Sequence, residues 1–329
     1  MSDPNHFQEG DYIETSEGLY FTVKGMFHPE DKVLSVLRYI PDEGGDRVKN
    51  TYRYKRVYNL VKTKRFLEKN YPHYLSYIPR LGITTQSVPI SNIKKIYKPR
   101  EKLKEIIDTS NQKPIKILRK LVYSLNEESE VPLECFGITG SILIDMHTPD
   151  SDVDINVYGF EQSKRVYDAL KKLRLDSNWL KPYTKKTVKN VLESRWSNTG
   201  LDLKLFLEIE TNKVLHGRVE DRDYFIRLIK PINIPDKSEP IEVVKIRKTI
   251  KDDSEGIFTP CKYMLEISSD NEPIELLSYR GKFTEQVKKG ELIEARGTLE
   301  KVWEGNKIAY RLVLGRKGDY LLPVRLLDE

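Results

Sequence analysis

Cysteine is scarce in this chain: Cys135 and Cys261 are the only two among 329 residues, and they lie far apart. That excludes a disulfide scaffold and a four-cysteine zinc site, and it fits a reducing cytoplasm. The five histidines show no paired metal spacing, so zinc is not expected. No apolar run approaches the ~20 residues of a membrane span, so no membrane association is expected. The first residues, MSDPNHFQEGDY, lack a basic start followed by an apolar stretch, so they do not read as a signal peptide. Repeats and low-complexity tracts are absent. Hydrophobic content is low at 38%, yet 10% aromatics argue against a disordered chain.

Length at ~150 residues per domain predicts two or three domains. The net charge of +6 is unevenly placed. Residues 1–46 carry net −7, residues 47–104 net +14, residues 105–235 zero and residues 236–329 net −1. The basic window also holds Tyr52, Tyr54, Tyr58, Phe66, Tyr71, Tyr74, Tyr77 and Tyr97. Cations neutralise phosphates and rings stack on exposed bases, so this window is a candidate surface for RNA or DNA. The competing reading makes the rings a small core and the cations a solvated face.

Three parts are expected. Residues 1–104 read as an N-terminal β-rich domain, with strand-like alternation over 11–40 and turns at Glu17-Gly18 and His28-Pro29. Residues 51–75 read as a strand and a short helix. Residues 105–235 read as a compact α/β domain. It would hold helices over 113–127, 161–174 and 184–196, and strands at 132–138, 153–158, 201–209 and 224–229. Residues 236–329 read as a small β-barrel with strands over 240–251, 258–267, 274–279, 291–302 and 307–314. The fold class is therefore α+β and multidomain: a central mixed sheet with helices between a β-rich N-terminal part and an OB-like C-terminal barrel.

One stretch carries chemistry. Phe136-Gly137-Ile138-Thr139-Gly140-Ser141 is followed, after ten residues, by Asp152-Val153-Asp154-Ile155. A Gly-Ser opening a helix presents backbone N–H groups and a hydroxyl to phosphate oxygens. Aspartates two apart on a strand share a face, while Val153 and Ile155 turn to the core. Paired carboxylates suit Mg²⁺ bound together with substrate phosphates. The plain alternatives are an ordinary helix cap at Gly140-Ser141 and turn acids at Asp150, Asp152 and Asp154.

This spacing resembles the DNA polymerase beta-type nucleotidyltransferase superfamily over residues 113–230. The flanks are similar to an archaeal group of predicted nucleotidyltransferases, from which no activity is carried over. The resemblance implies transfer of a nucleoside monophosphate from a nucleoside triphosphate to a hydroxyl, with release of pyrophosphate. It implies two Mg²⁺ ions, or Mn²⁺, held by Asp152 and Asp154. It also implies a third carboxylate on a later strand. Asp202, in Leu201-Asp202-Leu203-Lys204-Leu205, fits that pattern; Glu208 and Glu210 share its face and compete. Asp202 would join Asp152 and Asp154 as a metal ligand and act as the base or orient the attacking hydroxyl. Gly140, Ser141, Arg195 and Lys204 would bind the triphosphate, with Arg218, Arg222 and Arg227 as further cations. His147, in the loop between the motif halves, is a weaker candidate.

The leading expectation is a cytoplasmic magnesium-dependent nucleotidyltransferase acting on nucleic acid through residues 47–104. Two alternatives stand beside it: a nucleotide- or nucleic-acid-binding module without turnover, and an enzyme that adenylylates a protein.

Overall fold

The computed structural model describes residues 7–269 and 272–327. The chain forms two compact units, Met1–Pro79 with Ile83–Tyr158, and Arg80–Gly82 with Gly159–Glu329. It is a mixed α+β protein with several sheets.

The first unit opens with β1 (Tyr12–Thr15), β2 (Tyr20–Val23), β3 (Lys32–Pro41), β4 (Arg47–Lys49) and β5 (Tyr52–Arg56). Then come α1 (Leu60–Asn70), β6 (Leu75–Ile78), β7 (Ile83–Pro89) and β8 (Ile93–Tyr97). The strands pair antiparallel in the order β4-β5-β3-β2-β1-β8, with β7 on β3 and β6 on β7. Alternation gives this sheet two different faces. Ile13, Phe21, Val33, Leu37 and Val88 pack with Leu67 and Tyr74 on one side. Tyr12, Tyr20, Tyr39, Tyr54 and Tyr97 form the other, and Leu143, Ile144 and Met146 pack on them.

Those last three residues belong to the second half of this unit. It runs through α2 (Pro99–Ile106), α3 (Lys113–Ser129), β9 (Phe136–Ile138), α4 (Gly140–Leu143) and β10 (Val153–Tyr158). Proline near the start of α2 and α3 suits their first turns, where an N–H has no partner anyway. Ile115, Leu118, Leu121, Val122 and Leu125 form the buried face of α3. β9 and β10 pair antiparallel with Ile155 opposite Ile138.

A boundary at 104/105 does not separate compact units. The tyrosine face is covered by side chains from 143–146, each apolar side chain worth about 1.5–3 kcal/mol when buried. Lys49 Nζ donates to Tyr97 Oη at 2.7 Å and to the Ile144 carbonyl at 2.9 Å. Several members of the basic, aromatic window are therefore internal.

The second unit holds α5 (Phe160–Asp176), β11 (Leu180–Lys181), α6 (Lys189–Trp196), α7 (Leu207–Asn212), β12 (His216–Val219) and β13 (Arg222–Ile229). It continues through β14 (Lys237–Asp252), β15 (Phe258–Thr259), β16 (Cys261–Leu265), β17 (Pro273–Ser278), β18 (Leu292–Glu304), β19 (Lys307–Leu314) and β20 (Tyr320–Pro323). β14 pairs with β16, β16 with β17, β17 with β19, β19 with β18, and β18 returns to β14. Five strands thus close a ring, with β17 and β19 its one parallel pair. Tyr263, Leu276, Phe283, Ile293 and Leu312 inside it join one core with Trp196 and Phe206. That shared core is why no compact unit begins at residue 236.

The expected strand over 201–209 is not formed. A 3₁₀ turn at Leu203–Phe206 leads directly into α7. Asp202 accepts a hydrogen bond from the Lys204 N–H at 2.9 Å, and this cap starts the turn. Phe206 and Ile209, three apart, then bury on one helical side, where a strand would have put them on opposite faces. The expected helix over 184–196 begins only at Lys189, after a Thr184–Thr187 turn. Both cysteines are free thiols, and no described helix is long and apolar enough to cross a membrane.

Candidate functional site

In the first unit, β9 runs into Thr139 and the single turn of α4. Gly140 has φ +67°, and a Cβ built on it would lie 2.2 Å from Asp154 Oδ2. Only glycine satisfies both constraints, so the Asp154 carboxylate rests against the bare Gly140 backbone. The Thr139 N–H donates to the Asp154 carbonyl at 3.0 Å, fixing this approach. Thr139 Oγ1 donates to the Gly10 carbonyl at 3.1 Å instead of capping α4.

Val153 and Ile155 are fully buried, Asp152 is exposed and Asp154 half-buried. Asp154 therefore lies on the outer face of β10, and Asp152 immediately precedes the strand. Ser141 is buried, and its hydroxyl bonds Ser151 Oγ at 3.3 Å. Ser151 Oγ also accepts from the Thr148 N–H at 2.8 Å and Arg47 Nη1 at 3.2 Å. The Ser141 hydroxyl thus ties down the 141–151 loop. The expected helix dipole is also small, because α4 has four residues. What α4 offers an anion is its first backbone N–H groups, which have no partner within a helix.

Sequence reasoning missed three neighbours. Tyr39 of β3 lies opposite Arg56 of β5, and the Val57 N–H donates to the Arg38 carbonyl at 2.8 Å. The Arg56 and Arg38 guanidiniums lie 4.8 and 5.7 Å from the centroid of the Tyr58 ring. Loss of solvent raises the Tyr58 hydroxyl pKa; Arg56 opposes this, while the charges of Asp154 and Asp152 add to it. Tyr58 is still 58% exposed and both arginines are half-buried. Among the described residues neither arginine forms an ion pair. Nothing in the local sequence linked these residues to the aspartates, which lie far along the chain.

Apart from His147, the remaining expected site residues lie in the second unit. Asp202 is an exposed 3₁₀ cap, and Lys204 is exposed. The strand on which Asp202 was placed does not exist, so alternation gives it no orientation. Arg195 Nη1 pairs with Glu210 Oε2 at 3.0 Å. Glu210 is fully buried and also binds Lys213 Nζ at 2.7 Å and the Trp196 indole N–H at 3.0 Å. Burial alone would raise the Glu210 pKa, but Lys213 and Arg195 hold it down at about 2. Glu208 pairs with Arg325. Arg218 pairs with Asp223 at 2.6 Å, and His147 hydrogen-bonds Gln112. Among the described residues, no three His, Cys, Asp or Glu side chains gather closely enough to hold a metal ion.

A mixed α+β protein with a glycine-backed aspartate pair is the class these features define. No family model matches the chain, and no solved structure matches it. "Uncharacterized protein MJ1086" of Methanocaldococcus jannaschii is 30% identical over 322 residues, spanning 93% of this chain and 94% of the relative. The chain belongs to the family of that protein.

Proposed function

We propose that this protein is a divalent-metal-dependent nucleotidyltransferase of the DNA polymerase beta type, moving a nucleoside monophosphate from a nucleoside triphosphate to a hydroxyl on RNA or DNA. One observation carries the reading: the Asp154 carboxylate packs on Gly140 at φ +67°, and Asp152 and Asp154 both act electrostatically on Tyr58. A carboxylate held against a glycine that opens a helical turn is what the reading needs at a metal–phosphate site. A chain that needed only a helix cap has no use for that approach.

The donor set fits Mg²⁺, which is commonly held by one or two carboxylates with the rest supplied by water and phosphate. Asp152 and Asp154 would hold it, and it would supply charge neutralisation at the phosphate oxygens. The chain's own part is positioning. Gly140 leaves room for the Asp154 carboxylate against the backbone, Ser141 fixes the loop through Ser151, and Asp154 is oriented by the sheet. Asp202 enters this reading on its motif alone.

The strand order of the closed ring, numbered from β14, is 1-2-3-5-4-1 with strands 3 and 5 parallel. That is the OB topology, and it supports a nucleic-acid acceptor. So do Tyr52 and Tyr77, both exposed, and the exposed cations Arg53, Lys55, Lys62, Lys64, Arg65, Lys94 and Lys95.

Incubation of the full chain with each α-labelled nucleoside triphosphate and Mg²⁺ should move label onto RNA or DNA. Asp152→Asn with Asp154→Asn should lower transfer by about 10³-fold or more while the protein stays folded. Unchanged transfer removes the site assignment, and label on protein alone selects adenylylation. A binding module without turnover is the second reading. The lack of a gathered third carboxylate among the described residues favours it, and nucleotide binding with no transfer would establish it.

A further inference from the structure

We propose that Arg38 and Arg56, set around the Tyr58 ring on two neighbouring strands, form a clamp for a polyphosphate chain next to Asp152 and Asp154. The clamp rests on the nucleotidyltransferase reading for its substrate, a nucleoside triphosphate, but not for its existence as an anion site. Both arginines lie in the N-terminal sheet, outside the stretch that resembles the superfamily core.

Three observations carry it. Half-burying a guanidinium costs hydration, and that cost is normally offset by a carboxylate or by carbonyls. Neither arginine has an ion pair among the described residues, in a unit where Lys24, Lys94, Lys98 and Lys102 all have one. The second observation is rigidity. β3 and β5 are hydrogen-bonded neighbours, and Tyr39, opposite Arg56, packs in the same cluster as Leu143 and Ile144. Arg56 therefore belongs to the sheet face that carries the α4 segment. The third is spacing. Both guanidiniums lie within 6 Å of one ring centroid, Arg56 at 4.8 Å and Arg38 at 5.7 Å. Two planar forks held at one ring can act together on one polyphosphate chain, each as a bidentate donor. The ring keeps the forks in place through cation–π contact.

The test uses inorganic tripolyphosphate without metal, titrated into the full chain at low salt. Wild type should bind, and Arg38→Gln with Arg56→Gln should weaken binding about tenfold or more. Asp152→Asn with Asp154→Asn should bind at least as tightly as wild type, because two like charges have gone. If the glutamine variant does not fold, Arg38→Lys with Arg56→Lys decides, with a several-fold loss expected. No binding by wild type, or equal binding by the arginine variants, overturns the clamp. Tripolyphosphate binding that needs the arginines, in a protein that transfers no label, keeps the clamp and removes the transferase. Label transfer with an unchanged KM for triphosphate in the arginine variants does the reverse.

Discussion

Two clusters of acids and cations show how burial divides similar residues into different work. In the second unit, Glu210 is fully buried, and Arg195, Lys213 and the Trp196 indole all donate to it. In the first, Asp152 is exposed and Asp154 half-buried, beside arginines without ion pairs among the described residues. A buried acid with several donors has no coordination left for a ligand, and its charges are held in place by the cost of separating them. Asp152 and Asp154 are reached by solvent, so a ligand can approach them without opening a core. Arg195 was expected at the triphosphate, but its pairing with the buried Glu210 makes it part of a core.

That contrast can be broken by substitution. The largest stability effect is expected for Glu210→Gln, which leaves Lys213 and Arg195 without their carboxylate and should cost about 3–5 kcal/mol in denaturant unfolding. The acid limb follows from its pKa. The folded value of about 2 lies below the unfolded ~4.3, so the contribution is complete above ~4.3 and disappears as pH falls towards 2. A flat wild-type stability between pH 5 and 2 would remove the network's role.

Lys282 sharpens the same point with a slope of the same sign in a more alkaline window. Burial, then Arg280, push its ammonium down to about 7. Its Nζ donates to the Arg195 carbonyl at 3.0 Å. Between about 7 and the unfolded ~10.4 the unfolded chain binds more protons, so stability should rise with pH there. Lys282→Met should raise stability at pH 6 by about 1–4 kcal/mol, with the gain shrinking by pH 10. Thermal melts across that range check the sign.

In the open cluster, Gly140→Ala forces a Cβ into Asp154 at positive φ. About 1–3 kcal/mol should be lost, and transfer should fall further than stability does. Equal metal-dependent transfer in a folded Ala variant would show that the close approach is unused. The smallest effect belongs to Asp202→Ala, about 1 kcal/mol from the lost cap, read by urea unfolding. Collapse of transfer in that variant, with folding intact, would restore Asp202 as the third carboxylate.

Much of the fold was legible because it rests on local periodicity. Val153 and Ile155 are buried and the aspartates between them face outward, as a period of two demands. The five strands of the ring lie close to where glycine punctuation and alternation put them. Leu201–Ile209 was misread because Leu201, Leu203, Leu205, Leu207 and Ile209 alternate, while the Asp202 cap starts a turn and burial falls on Phe206 and Ile209, three apart. The tyrosines of the basic window were read as one set. In the fold, Tyr54, Tyr74 and Tyr97 are buried while Tyr52, Tyr58 and Tyr77 are exposed.

By itself, the sequence determined which residues could do phosphate chemistry: a glycine-serine turn and two acids one strand-period apart, because spacing fixes side-chain direction within an element. The tertiary structure alone decided which charges were spent on the core and which were left at the surface. Burial depends on what arrives from distant parts of the chain, and no local pattern records that Arg56 would lie on the same face as Ile144, or that Glu210 would be enclosed.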